Sequence, residues 1–241
     1  MYMLIEHPDI ERRLRQEIFD TVGNSGRPSE ETLRIVASHP SDCDVEVLRL
    51  YPPIPLNSRL SNKDIVFPPI GVGEKPIFIP KNTTCLFHII NMHHRTDLWG
   101  PDALKFDPDR FLDEKYQKYL AHNAHIYAPF GTGQRLCLGQ QFAINEGSYF
   151  LVRLLQRFTG FTLERDITAK PPPEWVSCYG LKGREKIRIV PPSGTLVPGG
   201  LWIRMRELDM ILGGANLDVY SRIVFDPCPN PCEKSSENED K

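Results

Sequence analysis

The chain reads Pro129-Phe130-Gly131-Thr132-Gly133-Gln134-Arg135-Leu136-Cys137-Leu138-Gly139, and a long apolar run, Phe142 to Phe158, follows almost at once. This juxtaposition constrains the fold more than any other stretch. The apolar run predicts a long helix, so the glycine-punctuated segment is a loop that ends at a helix entry. Cys137 stands at that entry, where backbone N–H groups and the positive helix end favour anionic sulfur. Gly131, Gly133 and Gly139 leave the backbone around the sulfur without Cβ atoms, so the loop can lie close against a flat object. Taken alone, a cysteine near a helix start also reads as an ordinary small buried residue.

Proline is the second constraint. The 22 prolines among 241 residues predict short helices joined by extended segments. Met1 to Glu6 reads as the last turn or two of a helix stopped at His7-Pro8, and Pro8 is suited to open the next one. From Asp9, the residues Ile10, Leu14 and Ile18 repeat every four positions as one buried stripe, ending before the loop Gly23 to Pro28. A short helix is expected after Ser29-Glu30-Glu31, to about Ala37, with Ser41 or Asp42 capping the helix that follows. That helix carries Glu46 and Arg49 on one face and stops at Tyr51-Pro52-Pro53. By spacing alone, the pair reads as a solvated i,i+3 contact.

Between Asn57 and Ile90, runs such as Pro76-Ile77-Phe78-Ile79 and Thr83 to His88 predict short strands of a small antiparallel sheet. His93 and His94 read as strand neighbours that point apart, with no third ligand spaced for a metal. A hairpin is expected through Ser193 to Met205, and the acidic end, Glu233 to Lys241, is expected to be disordered. The fold class is mainly α with small antiparallel β-sheets.

Charge narrows the partners. The 29 Lys+Arg against 31 Asp+Glu give a net charge of −2, and no basic run interleaved with aromatics offers a nucleic-acid surface. Cys43, Cys85, Cys137, Cys178, Cys228 and Cys232 lack framework spacing, so free thiols in a reducing setting are expected. No apolar run reaches the ~20 residues a membrane span needs, so the chain alone reads as soluble.

Phe130-x-x-Gly133-x-Arg135-x-Cys137-x-Gly139 resembles the haem-binding signature of the cytochrome P450 family. Glu46-x-x-Arg49, followed by Leu50-Tyr51-Pro52-Pro53, resembles that family's Glu-x-x-Arg helix, which locks to a Pro-x-Arg-Phe segment, here Pro108-Asp109-Arg110-Phe111. The resemblance implies the C-terminal haem-binding half of the cytochrome P450 fold over residues 1–206, followed by a non-family tail, 207–241. It implies haem b (iron protoporphyrin IX) with an axial thiolate from Cys137, the sulfur shielded by Phe130 and Leu138, and Gly133 and Gly139 in the cradle. Arg135 and Arg59 match positions that hold the haem propionates. Glu46, Arg49 and Arg110 match structural positions.

Ile54 to Asn57 and Thr195 to Val197 resemble substrate-contacting stretches. The implied function is a haem-thiolate monooxygenase that inserts oxygen into a small lipophilic substrate, as in fungal members acting on alkanes, fatty acids or aromatics. An NADPH-dependent reductase is the implied partner, at the cytosolic face of the endoplasmic reticulum membrane. The family's membrane anchor and its long oxygen-side helix are expected before Met1, and Ile35 to Asp44 departs from the family pattern, so the chain reads as truncated. Two further readings stay open: a catalytically silent fragment or interaction module, and a haem-thiolate isomerase or peroxygenase.

Overall fold

The computed structural model describes residues 1–24, 26–29, 43–69, 71, 73–178, 180–190, 197–208 and 220–225. Helix α1 (Tyr2–Glu6) turns into α2 (Pro8–Val22) at His7, whose backbone (φ −130°, ψ 74°) lies outside the helical region that a following proline disfavours. Pro8 occupies the first turn of α2, where its missing N–H leaves no bond unmade. Leu14 and Ile18 are the buried stripe of α2, and Gly23 ends the helix at φ +82°, a conformation that favours glycine. Helix α3 (Cys43–Leu50) ends where Pro52 and Pro53 deny it further hydrogen bonds.

Helices α4 (Ile89–His94), α5 (Thr96–Trp99) and α6 (Asp113–Tyr119) are short, and α7 (Gln140–Arg157) is the long helix predicted after the cysteine loop. His93 and His94 therefore lie on a helix and not on a strand. Ile89 and His93, four apart, are both buried, which is helical spacing.

The extended region between Pro55 and His88 forms two ladders in place of one sheet. Strand β1 (Leu56–Leu60) pairs antiparallel with β4 (Thr84–His88), in register Leu56↔His88, and β2 (Ile65–Phe67) pairs with β3 (Ile77–Ile79). Pro80 separates them: it lacks an N–H, and the turn after it places Asn82 at φ +65°, so β3 cannot run on into β4.

A third sheet orders β5 (Phe158–Leu163), β6 (Leu201–Glu207) and β7 (Tyr220–Phe225), all antiparallel. The expected local hairpin through Ser193 to Met205 is thus corrected over its described part: β6 takes its partners from distant β5 and β7. Residues 191–196 lie outside the described residues, as do the expected helix to Ala37, the caps Ser41 and Asp42, the thiols Cys228 and Cys232, and the acidic end.

The main core gathers Leu4, Leu14, Ile18, Leu50, Phe106, Val152 and Leu155 between α2, α3 and the second half of α7. Gln156, also buried, donates to the Gly23 carbonyl at 2.7 Å and to the Gly26 carbonyl at 3.1 Å, tying α7 to the loop behind α2. Ile203 and Met205 of β6 cover Leu154 of α7. The first half of α7 packs against little, and Phe142 is 70% exposed. Because Ile18 is fully enclosed, Ile18→Ala should cost about 2–5 kcal/mol in a urea titration, through lost transfer energy and the cavity left behind.

Candidate functional site

Glu46, Arg49 and Arg110 are brought together and are completely buried. Arg49 forks onto Glu46, Nε to Oε2 at 2.6 Å and Nη2 to Oε1 at 2.7 Å. Arg110 Nε stands 3.5 Å from the same Oε1, which also accepts the Asp107 N–H at 3.1 Å. The remaining guanidinium N–H groups go mainly to carbonyls: Arg49 donates to His93 at 2.7 Å, and Arg110 to Trp99 at 3.0 Å and to Asp102 at 2.9 Å. Burial pushes the Glu46 carboxyl upward, and Arg49 and Arg110 pull against it. Glu46→Ala strands two desolvated cations, so it should lower unfolding free energy by about 3–5 kcal/mol.

His93 joins this cluster to the cysteine loop. Its Nδ1 is 3.0 Å from the Arg49 carbonyl, and its Nε2 accepts the Ala128 N–H at 2.9 Å. Sequence reasoning missed this role. The four-residue spacing from Ile89 was the available signal that His93 faces inward. His94 lies beside it, half-buried, with Nε2 at 2.9 Å from the Leu50 carbonyl.

The loop itself starts at buried Ala128 and Pro129. Gly131 and Gly133 hold φ +78° and +69°, which lets the chain double back. Gly131 N–H bonds the Ala128 carbonyl at 3.0 Å, Leu136 N–H bonds that of Gly133 at 3.1 Å, and Cys137 N–H bonds that of Phe130 at 3.0 Å. The loop is therefore closed on itself, with Cys137 just ahead of α7.

Cys137 is exposed, Leu138 is fully exposed, and Phe130 is half-buried. Phe130 lines an apolar cleft of about 620 Å³ with Gly131, Leu136, Ala143 and Gly147. Gly131 also borders a second cleft of about 550 Å³, which holds Arg59, Arg95, His88 and His125. Arg59 is half-buried there and donates to Asn57 Oδ1 at 2.9 Å and to the Ser58 carbonyl at 2.7 Å. Arg135 is exposed and lines neither cleft, and Gly133 and Gly139 sit on the exposed side of the loop.

The family described as Cytochrome P450 matches residues 1–181. The chain belongs to the cytochrome P450 family. It is 36% identical over 176 residues to the cytochrome P450 monooxygenase himC of Aspergillus japonicus, covering 72% of this chain and 29% of that protein. It is 38% identical over 176 residues to cytochrome P450 52-M1 of Starmerella bombicola, covering 71% and 32%. With cytochrome P450 52A6 of Candida tropicalis, it shares 36% over 182 residues, covering 71% and 33%. The chain spans about a third of the length of these curated relatives. Its helices and small antiparallel sheets form part of the cytochrome P450 fold. Among the described residues, no helix is long and apolar enough to cross a membrane.

The residues present fit a haem. An accessible sulfur stands in a glycine loop among exposed apolar side chains, Leu136 at 48% and Phe142 at 70%, and a cationic cleft begins at the same loop. An apolar ring with two carboxylates asks for that combination.

Burial, opposed by the bond to the Arg49 carbonyl and aided by the Arg49 charge, lowers the His93 pKa from 6.5 to about 4. Between those values the unfolded chain binds more protons than the folded one, so stability falls as pH drops from 6.5 towards 4. His93→Gln removes this titration and leaves the neighbouring carboxylates in place. Urea titrations from pH 7 to 4 should show the parent losing up to about 3 kcal/mol more than the variant.

Proposed function

We propose that this chain forms the haem-holding side of a haem-thiolate monooxygenase, with Cys137 as the axial ligand. One observation carries the reading: an accessible Cys137 sulfur at the entry of α7, on a loop that folds back on itself and is anchored to a buried ion-pair cluster. Gly131, Gly133 and Gly139 let the loop backbone lie against a flat ring, and Leu136, Leu138 and Phe142 give that ring apolar neighbours. Arg59, in its cleft beside Gly131, and Arg135, two positions before the ligand, are the cations for the two propionates.

A haem bound through a thiolate supplies oxygen chemistry in which R–H, O₂, two electrons and two protons give R–OH and water. The chain's own contribution is to present the sulfur just ahead of α7 and to fix the loop that carries it from behind. The lipophilic substrate, the NADPH-dependent reductase and the endoplasmic reticulum setting belong to the same reading. Exposed Ile54 and Leu56, on the stretch leading to Arg59, support an apolar substrate.

The test is the absorbance of the haem-supplemented, reduced chain under CO. The red-shifted band of thiolate ligation should appear in the parent and disappear in Cys137→His, and an unchanged spectrum in that variant would reject the assignment. A second reading, a module that binds without turnover, draws support from the exposed first turns of α7. On that reading, the haem-loaded chain with reductase and a lipophilic substrate forms no hydroxylated product above the free-haem level. Coupled product formation excludes it.

A further inference from the structure

We infer that His93 is a positioning residue, which clamps the start of the Cys137 loop to the helix that carries Glu46 and Arg49. The ring is fully buried and both of its nitrogens are committed. A carbonyl can only accept and an amide N–H can only donate, so the contacts at 3.0 Å to the Arg49 carbonyl and 2.9 Å from the Ala128 N–H allow one neutral tautomer. Nδ1 carries the proton and Nε2 is bare.

The clamp is closed from the other side, because Arg49 Nη1 donates back to the His93 carbonyl at 2.7 Å. Tyr127 stacks on the ring with centroids 5.6 Å apart, and Trp99 meets it edge-on at 6.4 Å, so the ring has little freedom to turn. Ala128 is the point where the loop leaves the core. Its carbonyl takes the Gly131 N–H at 3.0 Å, and the turn so started returns at Phe130, whose carbonyl takes the Cys137 N–H. His93 thus ties the ion-pair cluster to the loop at Ala128, across 35 residues of sequence.

The clamp matters for the sulfur only if Cys137 is the haem ligand, as proposed above. Its test uses the full chain without haem, so the two readings fail separately. In the parent, nitrogen-15 NMR should show the Nδ1–H tautomer of His93 and a through-hydrogen-bond coupling between His93 Nε2 and the Ala128 nitrogen. The Nε2–H tautomer, or no coupling, overturns the inference.

The second measurement is amide exchange. His93→Phe keeps the ring volume without nitrogens, and His93→Gln keeps an acceptor within reach of Ala128. In the Phe variant, the Gly131 and Cys137 amides should exchange at least about tenfold faster, with α7 amides near Leu154 unchanged. In the Gln variant, they should stay within about threefold of the parent. Loop amides unaffected by the Phe substitution overturn the clamp. If the Phe variant does not fold, the parent coupling and the Gln variant decide. Failure of the haem reading would appear in the Cys137 spectrum and leave the tautomer, the coupling and the exchange rates as they are.

Discussion

The carboxylate of Glu46, held out of water between two guanidinium groups, is the interaction on which the rest of this structure depends. Taking three charges out of solvent costs several kcal/mol for each ion, and the arrangement persists only where every donor and acceptor finds a partner. Here that demand shapes the neighbouring chain. Arg49 and Arg110 consume the carbonyls of His93, Trp99 and Asp102, and Glu46 consumes the Asp107 N–H. The stretch from Arg95 to Phe111 contains only one turn of α-helix and a short 3₁₀ helix, yet it is fixed in place. Its backbone groups are satisfied by side chains where a sheet or a long helix would have used other backbone groups.

The site inherits its order from this cluster and its accessibility from α7. The second half of that helix is sealed by Val152, Leu154 and Leu155, and its first half stands open with Phe142 and Ala143. The Cys137 sulfur sits at the open end of a helix whose other end is rooted in the core. The loop before it has glycine at the two positions where φ is positive, so its close return on itself needs no strained side chain.

Local signals in the sequence were the most legible. Pro8, the four-residue repeat of Ile10, Leu14 and Ile18, and the double proline after α3 each mark an element by a rule that acts over one or two turns. Glu46-x-x-Arg49 shows two side chains on one face, but the spacing is the same for a solvated pair as for a pair with no exposure. Only the segment arriving from Asp102 to Arg110 decides between them. The role of His93 is hidden for a related reason: the spacing from Ile89 turns it inward, but its partners, Arg49 and Ala128, lie 44 and 35 residues away. The partners of β6 were likewise out of reach of turn chemistry, since glycines before Leu201 point to a local hairpin and the ladder is made with β5 and β7. Leu138 shows a different limit, because an apolar side chain next to a functional loop carries no local sign of whether it will be covered.

The three-stranded sheet has a consequence for the order in which the molecule is assembled. Its central strand, β6, supplies the Ile203 and Met205 that cover Leu154, and its outer strand, β7, ends at Phe225. On a ribosome, α1, α2, α3 and the cysteine loop have all emerged well before either strand is available. Val152 and Leu155 can pack against α2 and α3 at once, but Leu154 waits for its β6 partners until the chain has been made past Glu207, and β7 is available only past Phe225. During that interval the Leu154 side of the helix stays open, because long-range strand pairing is slow to close.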